Sequence, residues 1–483
     1  MKPTLLRCSS LFVALALAGC AVGPDYLRPT SAPSVEFKQA AGWKSAAPAD
    51  TALRGDWWTL YDDPELDALI ARLIADNQNL ASAEAKYRQA QALVRGARAS
   101  FFPTLGLNTG VTRAGQGGGD STIGTTGGVS VSGANASTVS KSYEASLGVS
   151  WELDLWGKLR RQLESENAGL DASAADLAAV RLSQQSELVQ NYLQLRVLDQ
   201  QKRLLDETVA AYRQAYRIAE NQYKAGIVPR SDVTQALTQL KGTEAEAVDL
   251  EYQRAQLEHA IAVLVGVAPS EFELAVREEV PALPSVPVSL PSTLLERRPD
   301  VAAAERRVMA ANAEIGVAEA AYYPELSLSA SGGYRSGSLD NWISSPNRFW
   351  SIGPAFALNL FDGGLIRSRV EQAEASYDQT VADYRQTVLG SFREVEDYLV
   401  QLAVLEREAV VQQEALEAAR ESLRLILNQY RAGTVEFTDV VSVQTTALSN
   451  ERTRLTLQGS RLIASVQLIA ALGGGWQGLP VEE

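Results

Sequence analysis

Two kinds of periodicity divide the chain. Tyr143, Ala145, Leu147, Val149, Trp151 and Leu153 alternate with Glu144, Ser146, Gly148, Ser150 and Glu152. Leu105, Leu107, Thr109 and Val111 alternate less cleanly. Leu326, Leu328 and Ala330, and then Ile352, Pro354, Phe356, Leu358 and Leu360, repeat the pattern. Period two over about ten residues predicts strands with one apolar and one polar face. About ten residues is also what a tilted strand needs to cross a bilayer. Trp156, Trp342, Phe349 and Trp350 lie near the ends of these runs, where an aromatic girdle would sit.

The second periodicity is helical. Residues 158–223 and 365–430 contain no proline, so each can run on the order of 100 Å as one helix. Val209, Tyr212, Tyr216, Ala219 and Tyr223 step 3, 4, 3, 4, and Leu416, Ala419, Leu423, Ile426 and Tyr430 step identically. A mean spacing of about 3.5 residues is a coiled-coil seam. Ala-Gly breaks each run at 225–226 and 432–433, where glycine suits a left-handed cap. Ser231 and Thr438 are placed to cap returning helices over 231–265 and 438–472. Earlier helical stretches, 63–100 and 295–321, are stopped by Pro103 and Pro324.

These elements occur twice in one order. Asn221–Val233 matches Asn428–Val440 at eight of thirteen positions, at an offset of 207. Phe101–Leu107 matches Tyr322–Leu328 at an offset of 221, and Leu153–Gly157 matches Leu358–Gly363 at 205. The first copy therefore carries the longer insert, the Gly/Ser-rich stretch from Gly115 to Ser140, expected as a surface loop. The chain then divides as follows: 1–19 a leader, 20–62 an N-terminal segment, 63–265 the first repeat, 266–294 a Pro-rich linker, 295–472 the second repeat, and 473–483 a tail. The β-hairpins fall at 103–155 and 324–361, and the helix-hairpin tips near 226 and 433.

The leader changes the picture. Lys2 and Arg7 precede an apolar run from Leu11 to Ala18, which is signal-peptide architecture. It ends in Leu17-Ala18-Gly19-Cys20, which resembles a lipobox; cleavage there would leave 464 residues at net charge −16, with acyl chains on Cys20. Ala21, rather than Asp, points to export to the outer membrane. Cys8 would leave with the leader, so no disulfide is expected.

Composition narrows the function. Acids outnumber bases 58 to 44, which argues against a nucleic-acid partner. No run of 18 apolar residues follows the leader, which excludes a helical multi-span protein but not a barrel. His259 is the sole histidine, and Gly-rich segments at 117–119 and 473–475 lack phosphate-loop spacing. Neither an enzyme nor a metal site is expected. Four strands cannot close a barrel, and an open sheet edge is not viable in lipid. Several chains must pool them; three would supply twelve strands and twelve helical stretches. The rival reading is a structural coiled-coil lipoprotein.

Several motifs resemble the outer-membrane factors of tripartite exporters, the TolC and OprM group, in its lipidated NodT-type branch. They are Cys20-Ala-Val-Gly-Pro-Asp-Tyr-Leu-Arg-Pro29, Trp57-Trp58 with Tyr61-Asp-Asp-Pro64, Leu295-Glu-Arg-Arg-Pro-Asp300 and Leu360-Phe-Asp-Gly-Gly364. The resemblance spans essentially the whole mature chain. It implies a mixed α/β membrane channel: a homotrimer with a shared 12-stranded outer-membrane β-barrel and a 12-helix periplasmic coiled-coil tunnel. It makes 20–62 a lipidated equatorial segment. It also implies partners, a periplasmic adaptor and an inner-membrane pump of the resistance-nodulation-division type, and a role as exit duct for drugs. Metal ions or secreted proteins are the alternative cargoes. No cofactor is implied beyond the lipid on Cys20.

The resemblance places the gate at the hairpin tips. Asp232 and Asp439 match tip aspartates, and Tyr223 and Tyr430 match tyrosines that hydrogen-bond such carboxylates between helices in a closed state. A bond of that type contributes about 1.5–3 kcal/mol, which a gate can break. Cap service is the competing role for the aspartates, and seam packing for the tyrosines. Ser442 stands where TolC has a second aspartate, so one acidic ring is expected rather than two. Gly226 and Gly433 are the expected adaptor contacts, because bare backbone admits close approach.

Overall fold

A computed structural model of the chain describes residues 21–29, 56–116, 138–277, 279–284 and 298–474. Cys20 and the leader, residues 30–55 of the N-terminal segment, most of the Gly/Ser-rich insert, residues 285–297 at the end of the linker and the start of the second repeat, and the tail from Gly475 lie outside the described residues. The elements are α1 Pro64–Asp76, α2 Gln78–Ala99, β1 Thr104–Gln116, β2 Thr138–Leu153, α3 Lys158–Lys224, α4 Arg230–Leu264, α5 Pro299–Ala320, β3 Glu325–Ser336, β4 Arg348–Ala357, α6 Leu365–Arg431 and α7 Phe437–Ala471. The long helices match the expected limits to within a residue. Both strands of the first hairpin run into the insert, to Gln116 and from Thr138. β4 stops at Ala357, short of 361. No described helix is long and apolar enough to cross a membrane. The chain divides into two compact units.

The first unit holds Met1–Leu27, Ala90–Gly169 and Val308–Thr380. Its four strands form one antiparallel sheet in the order β1-β2-β3-β4. Leu105 pairs with Val149, Val149 with Ala330, and Ala330 with Ile352; Leu107, Leu147, Gly332 and Trp350 form the next row. Residues paired across strands share a face, so one face of the sheet is mostly apolar; Thr109 and Arg348, in the row of Ala145 and Tyr334, and Ser336, opposite Tyr143, are polar exceptions. Leu105, Leu107, Val111, Trp350, Ile352 and Phe356 on it are exposed. The opposite face carries Asn108, Ser146, Glu144, Arg335, Ser331 and Ser351. There Arg335 binds Glu144 at 2.9 Å and lies 4.8 Å over the Phe349 ring. Phe349 thus belongs to the polar face, not to the apolar girdle expected of it. At the helical end, Trp156 stacks on Tyr323 at 5.0 Å and donates its indole N–H to the Pro324 carbonyl at 2.8 Å.

A strap from Ala21 onward closes this unit. Val22 N–H donates to Trp156, Arg161 donates to the Val22 and Gly23 carbonyls and to Asp25, and Asn312 donates to the Pro24 carbonyl. Gly23 has φ +100°, and a Cβ there would stand 2.4 Å from Gly316 Cα. Only two glycines allow that approach.

The second unit holds Arg28–Gln89, Leu170–Arg307 and Val381–Glu483. A turn of 3-10 helix, Trp57–Tyr61, buries Trp57, Trp58 and Tyr61 among Leu66, Ile70, Leu193, Ile261, Leu399 and Leu462. The helix expected over 63–100 is broken at Asn77. Its backbone N–H ends α1 on the Leu73 carbonyl, its Oδ1 caps α2 by accepting from Leu80 N–H, and its Nδ2 donates to the Leu264 carbonyl at 2.8 Å. A buried polar side chain that satisfies three groups outweighs helix continuity.

A buried ionic network ties this unit together. Arg196 is fully buried; it donates to Glu65, to Asp199 at 2.9 Å and to the Ala275 carbonyl. Arg254 binds Asp199 at 2.8 Å, Glu258 at 3.0 Å and the Leu274 carbonyl. Tyr192 donates to Asp63 at 2.6 Å; burial, together with that carboxylate, holds its phenol above the ordinary range. Residues 274–277 of the linker are thereby held as a strap on α3 and α4.

Candidate functional site

Each tip is built by the same local chemistry. α3 ends when Gly226 takes φ +73°, with Gly226 N–H on the Tyr223 carbonyl and Ile227 N–H on the Gln222 carbonyl. α6 ends identically: Gly433 has φ +74° and donates to Tyr430, and Thr434 N–H donates to Gln429. Both are Schellman caps, which glycine closes without a Cβ penalty. A Cβ at either glycine would meet nothing within 4 Å. The tip glycines face open space.

The returning helices start one residue earlier than expected, and Ser231 and Thr438 do not cap them. The N-caps are Pro229 and Glu436. These are equivalent positions of the repeat, and their difference separates the two aspartates. Glu436 and Asp439 form a reciprocal capping box, with Glu436 N–H donating to Asp439 Oδ2 at 3.3 Å. Pro229 has no N–H, so Asp232 cannot close the same box. Its Oδ1 instead accepts from Ser231 at 3.2 Å. Asp439 caps a helix; Asp232 is left free of that task.

The tyrosines also part. Tyr223 is 43% exposed. Tyr430 is half-buried, with its ring 5.8 Å from Phe437. That pair joins Ala219, Ala236, Tyr216, Val233 and Val441 in one cluster, which packs the first tip against the second. Burial first, and then the Asp232 charge, raise the Tyr430 phenol above its ordinary value. Within one chain neither tyrosine is hydrogen-bonded to an aspartate among the described residues; Tyr430 is placed by packing, with Asp232 as its electrostatic neighbour. Phe437 was not legible as a site residue. Its signal is a break in the repeat, since the first copy has Arg230 there.

Away from the tips, α4 and α7 meet at equivalent levels. Gln239 Nε2 donates to Thr445 at 3.0 Å and to Tyr212 at 3.0 Å, and Arg452 pairs with Glu246 at 2.6 Å. In the seam of α3, Val209, Tyr212 and Ala219 are buried. In α6, Leu416 is buried, while Ala419, Leu423 and Ile426 stay partly open.

Known proteins share this architecture. The chain is 30% identical to outer membrane protein OprJ of Pseudomonas aeruginosa over 479 residues, 99% of this chain and 97% of that one. It is 28% identical to the cation efflux system protein CusC of Escherichia coli O6:H1 over 467 residues, 96% and 98% of the two chains. The solved outer-membrane channel OprN superposes with a TM-score of 0.84 at 31% identity, covering 95% of this chain and all of that one. The signature of the outer membrane efflux proteins spans residues 69–267 and 290–474. With nearly all of both repeats inside that match, the chain belongs to the outer membrane efflux protein family.

Proposed function

We propose that this chain is the passive exit duct of a tripartite drug-efflux system, working as a homotrimer. The carrying observation is a four-stranded sheet with an exposed, mostly apolar face and two edges, β1 and β4, that no strand pairs among the described residues. In lipid those edges must find partners. Three copies joined β4 to β1 make twelve strands without an edge, with the polar face lining the lumen. The twelve helical stretches of the trimer line the periplasmic part of the duct. The half-open α6 seam supports this, since a neighbouring copy would cover it. Cys20, at the end of its lipobox-like run, carries the lipid that anchors the chain to the outer membrane.

The tips perform the gating and docking. Tyr430, Phe437 and Asp232 hold the two hairpin tips of a chain together, and loosening them opens the duct. Gly226 and Gly433 receive the adaptor, and an inner-membrane pump of the resistance-nodulation-division type supplies energy. Soft-metal relay would use thioethers, and the chain has only Met1 and Met309. Organic drugs are therefore preferred over metal ions as cargo, although the similar CusC is named for cations.

Single-channel conductance in planar bilayers tests the reading. Wild type should give small, cation-selective currents, and Tyr430→Phe/Asp232→Ala larger ones. Unchanged currents in that variant refute the gate. No current from folded protein of either kind favours the structural-lipoprotein reading.

A further inference from the structure

The apolar face of the sheet ends in a feature that a membrane wall does not need. Two residues beyond Val111 and Tyr143, the next paired row on that face is Arg113 opposite Lys141. Both are exposed. Like charges directly opposite each other in a sheet are destabilising. Among the described residues, no carboxylate pairs with either. The nearest acid along β2, Glu144, points to the other face and is held there by Arg335. The pair calls for an anion, and none among the described residues meets it.

The height of the row identifies the surroundings. Along β2 the apolar rows run from Leu153 to Tyr143. Ten residues at ~3.4 Å, tilted by about 45°, rise roughly 24 Å, the height of the apolar band of an outer-membrane barrel. Aromatic residues mark both ends of it. Trp156 stacks on Tyr323 at the helical end, and the rings of Tyr143 and Trp342 lie 6.4 Å apart at the other. Arg113 and Lys141 therefore stand just past the girdle, at the level of lipid headgroups, on the side that faces lipid.

We infer that Arg113 and Lys141 bind a phosphate of the anionic glycolipid in the outer leaflet of the membrane. The inference rests on the barrel reading above. The guanidinium fork takes two phosphate oxygens, and the ammonium beside it takes a third. One phosphate thereby cancels the repulsion between the two cations. The site would recur once per copy around the rim.

The test uses the full-length protein in phosphatidylcholine vesicles doped with lipid A or with its dephosphorylated form. Lipid retained per trimer is counted by native mass spectrometry, and conductance is recorded on the same vesicles. Wild type should retain the phosphorylated lipid on the order of tenfold better than the dephosphorylated one. Arg113→Ser/Lys141→Ser should lose that preference. Lys141→Glu, which would pair with Arg113 inside the sheet, should lose it while keeping the fold. Arg335→Ser, on the opposite face, should keep it. Equal retention of both lipids by a conducting wild type, or a preference that survives the double variant, overturns the site alone. Absence of conductance overturns the barrel reading and the site with it.

Discussion

Arg298 donates to the backbone carbonyl of Ala471, the last residue of α7, at 3.2 Å. Asn77 does the same for Leu264, the last residue of α4, in the first repeat. Ala471 and Leu264 are separated by the repeat offset of 207, and Arg298 and Asn77 by the offset of 221. Each returning helix is thus latched by the start of its own repeat. The duplication kept the latch and changed its chemistry. Arg298 also binds Asp300 at 2.6 Å and Glu394 at 2.8 Å, which accounts for the second arginine of the Leu295–Asp300 motif.

Arg298→Ala should lower stability by about 1.5–3 kcal/mol, because hydrogen bonds to charged groups are lost from a largely buried site. Arg298→Lys should recover less than half of that, since an ammonium cannot serve three acceptors in the plane of a guanidinium. Denaturant unfolding of the solubilised protein measures both. A fully stable lysine variant would show that charge, not geometry, holds the latch.

The ionic network around Arg196 should be more sensitive. Arg196 and Asp199 are both almost wholly buried. Arg196→Ala leaves Asp199 with Arg254 and the Arg277 N–H, and releases the strap at Ala275. A loss of about 3–5 kcal/mol is expected. Limited proteolysis should then cut within 274–284 first. Cleavage elsewhere at the wild-type rate would count against the strap.

The two tip aspartates should differ in stability as well as in conductance. Asp439→Asn weakens a capping box and should cost about 1 kcal/mol. Asp232→Asn removes no cap and should be near neutral. Pro229→Ser supplies the missing N–H and hydroxyl, and should stabilise the first tip. Equal costs for the two asparagine variants, measured by thermal unfolding, would contradict the asymmetry between Pro229 and Glu436.

Tyr430 sets a pH dependence. Its phenol titrates above the ordinary value of 10.0, so between that value and its own the unfolded chain has lost a proton that the folded chain keeps. The contribution to stability is therefore fully present below pH 10 and declines as pH rises through the folded pKa. Tyrosinate absorbance, taken as wild type minus Tyr430→Phe, should show a midpoint above 10. Asp232→Asn should lower that midpoint. A shift in the other direction would remove Asp232 from the neighbourhood of the phenol.

Much of this protein is legible in the order of its residues alone. Helix limits are local matters. Absence of proline, a 3-4 seam and a terminal glycine placed α3 and α6 to within a residue; α4 and α7 fell equally close, although Ser231 and Thr438 do not cap them. Alternation placed the strands, because one sheet face meets an apolar medium and the other does not. Internal duplication cross-checked the strands and the long helices. The positions of the two tips were also legible, since Gly226 and Gly433 both take the left-handed cap that ends a long helix.

Tertiary structure decided the rest. Asn77 breaks a helix only because Leu264 offers a carbonyl that would otherwise go unpaired. Tyr430 packs on Phe437 in the cluster that joins the two tips. Cation placement was equally invisible. Arg196 and Arg298 are buried where carboxylates and free carbonyls converge, while Arg113 and Lys141 share a row that strand register alone creates. Periodicity records which medium each side chain meets, and that is a local property of the sequence. Which partner a side chain meets depends on segments hundreds of residues apart, and only the folded chain brings those together.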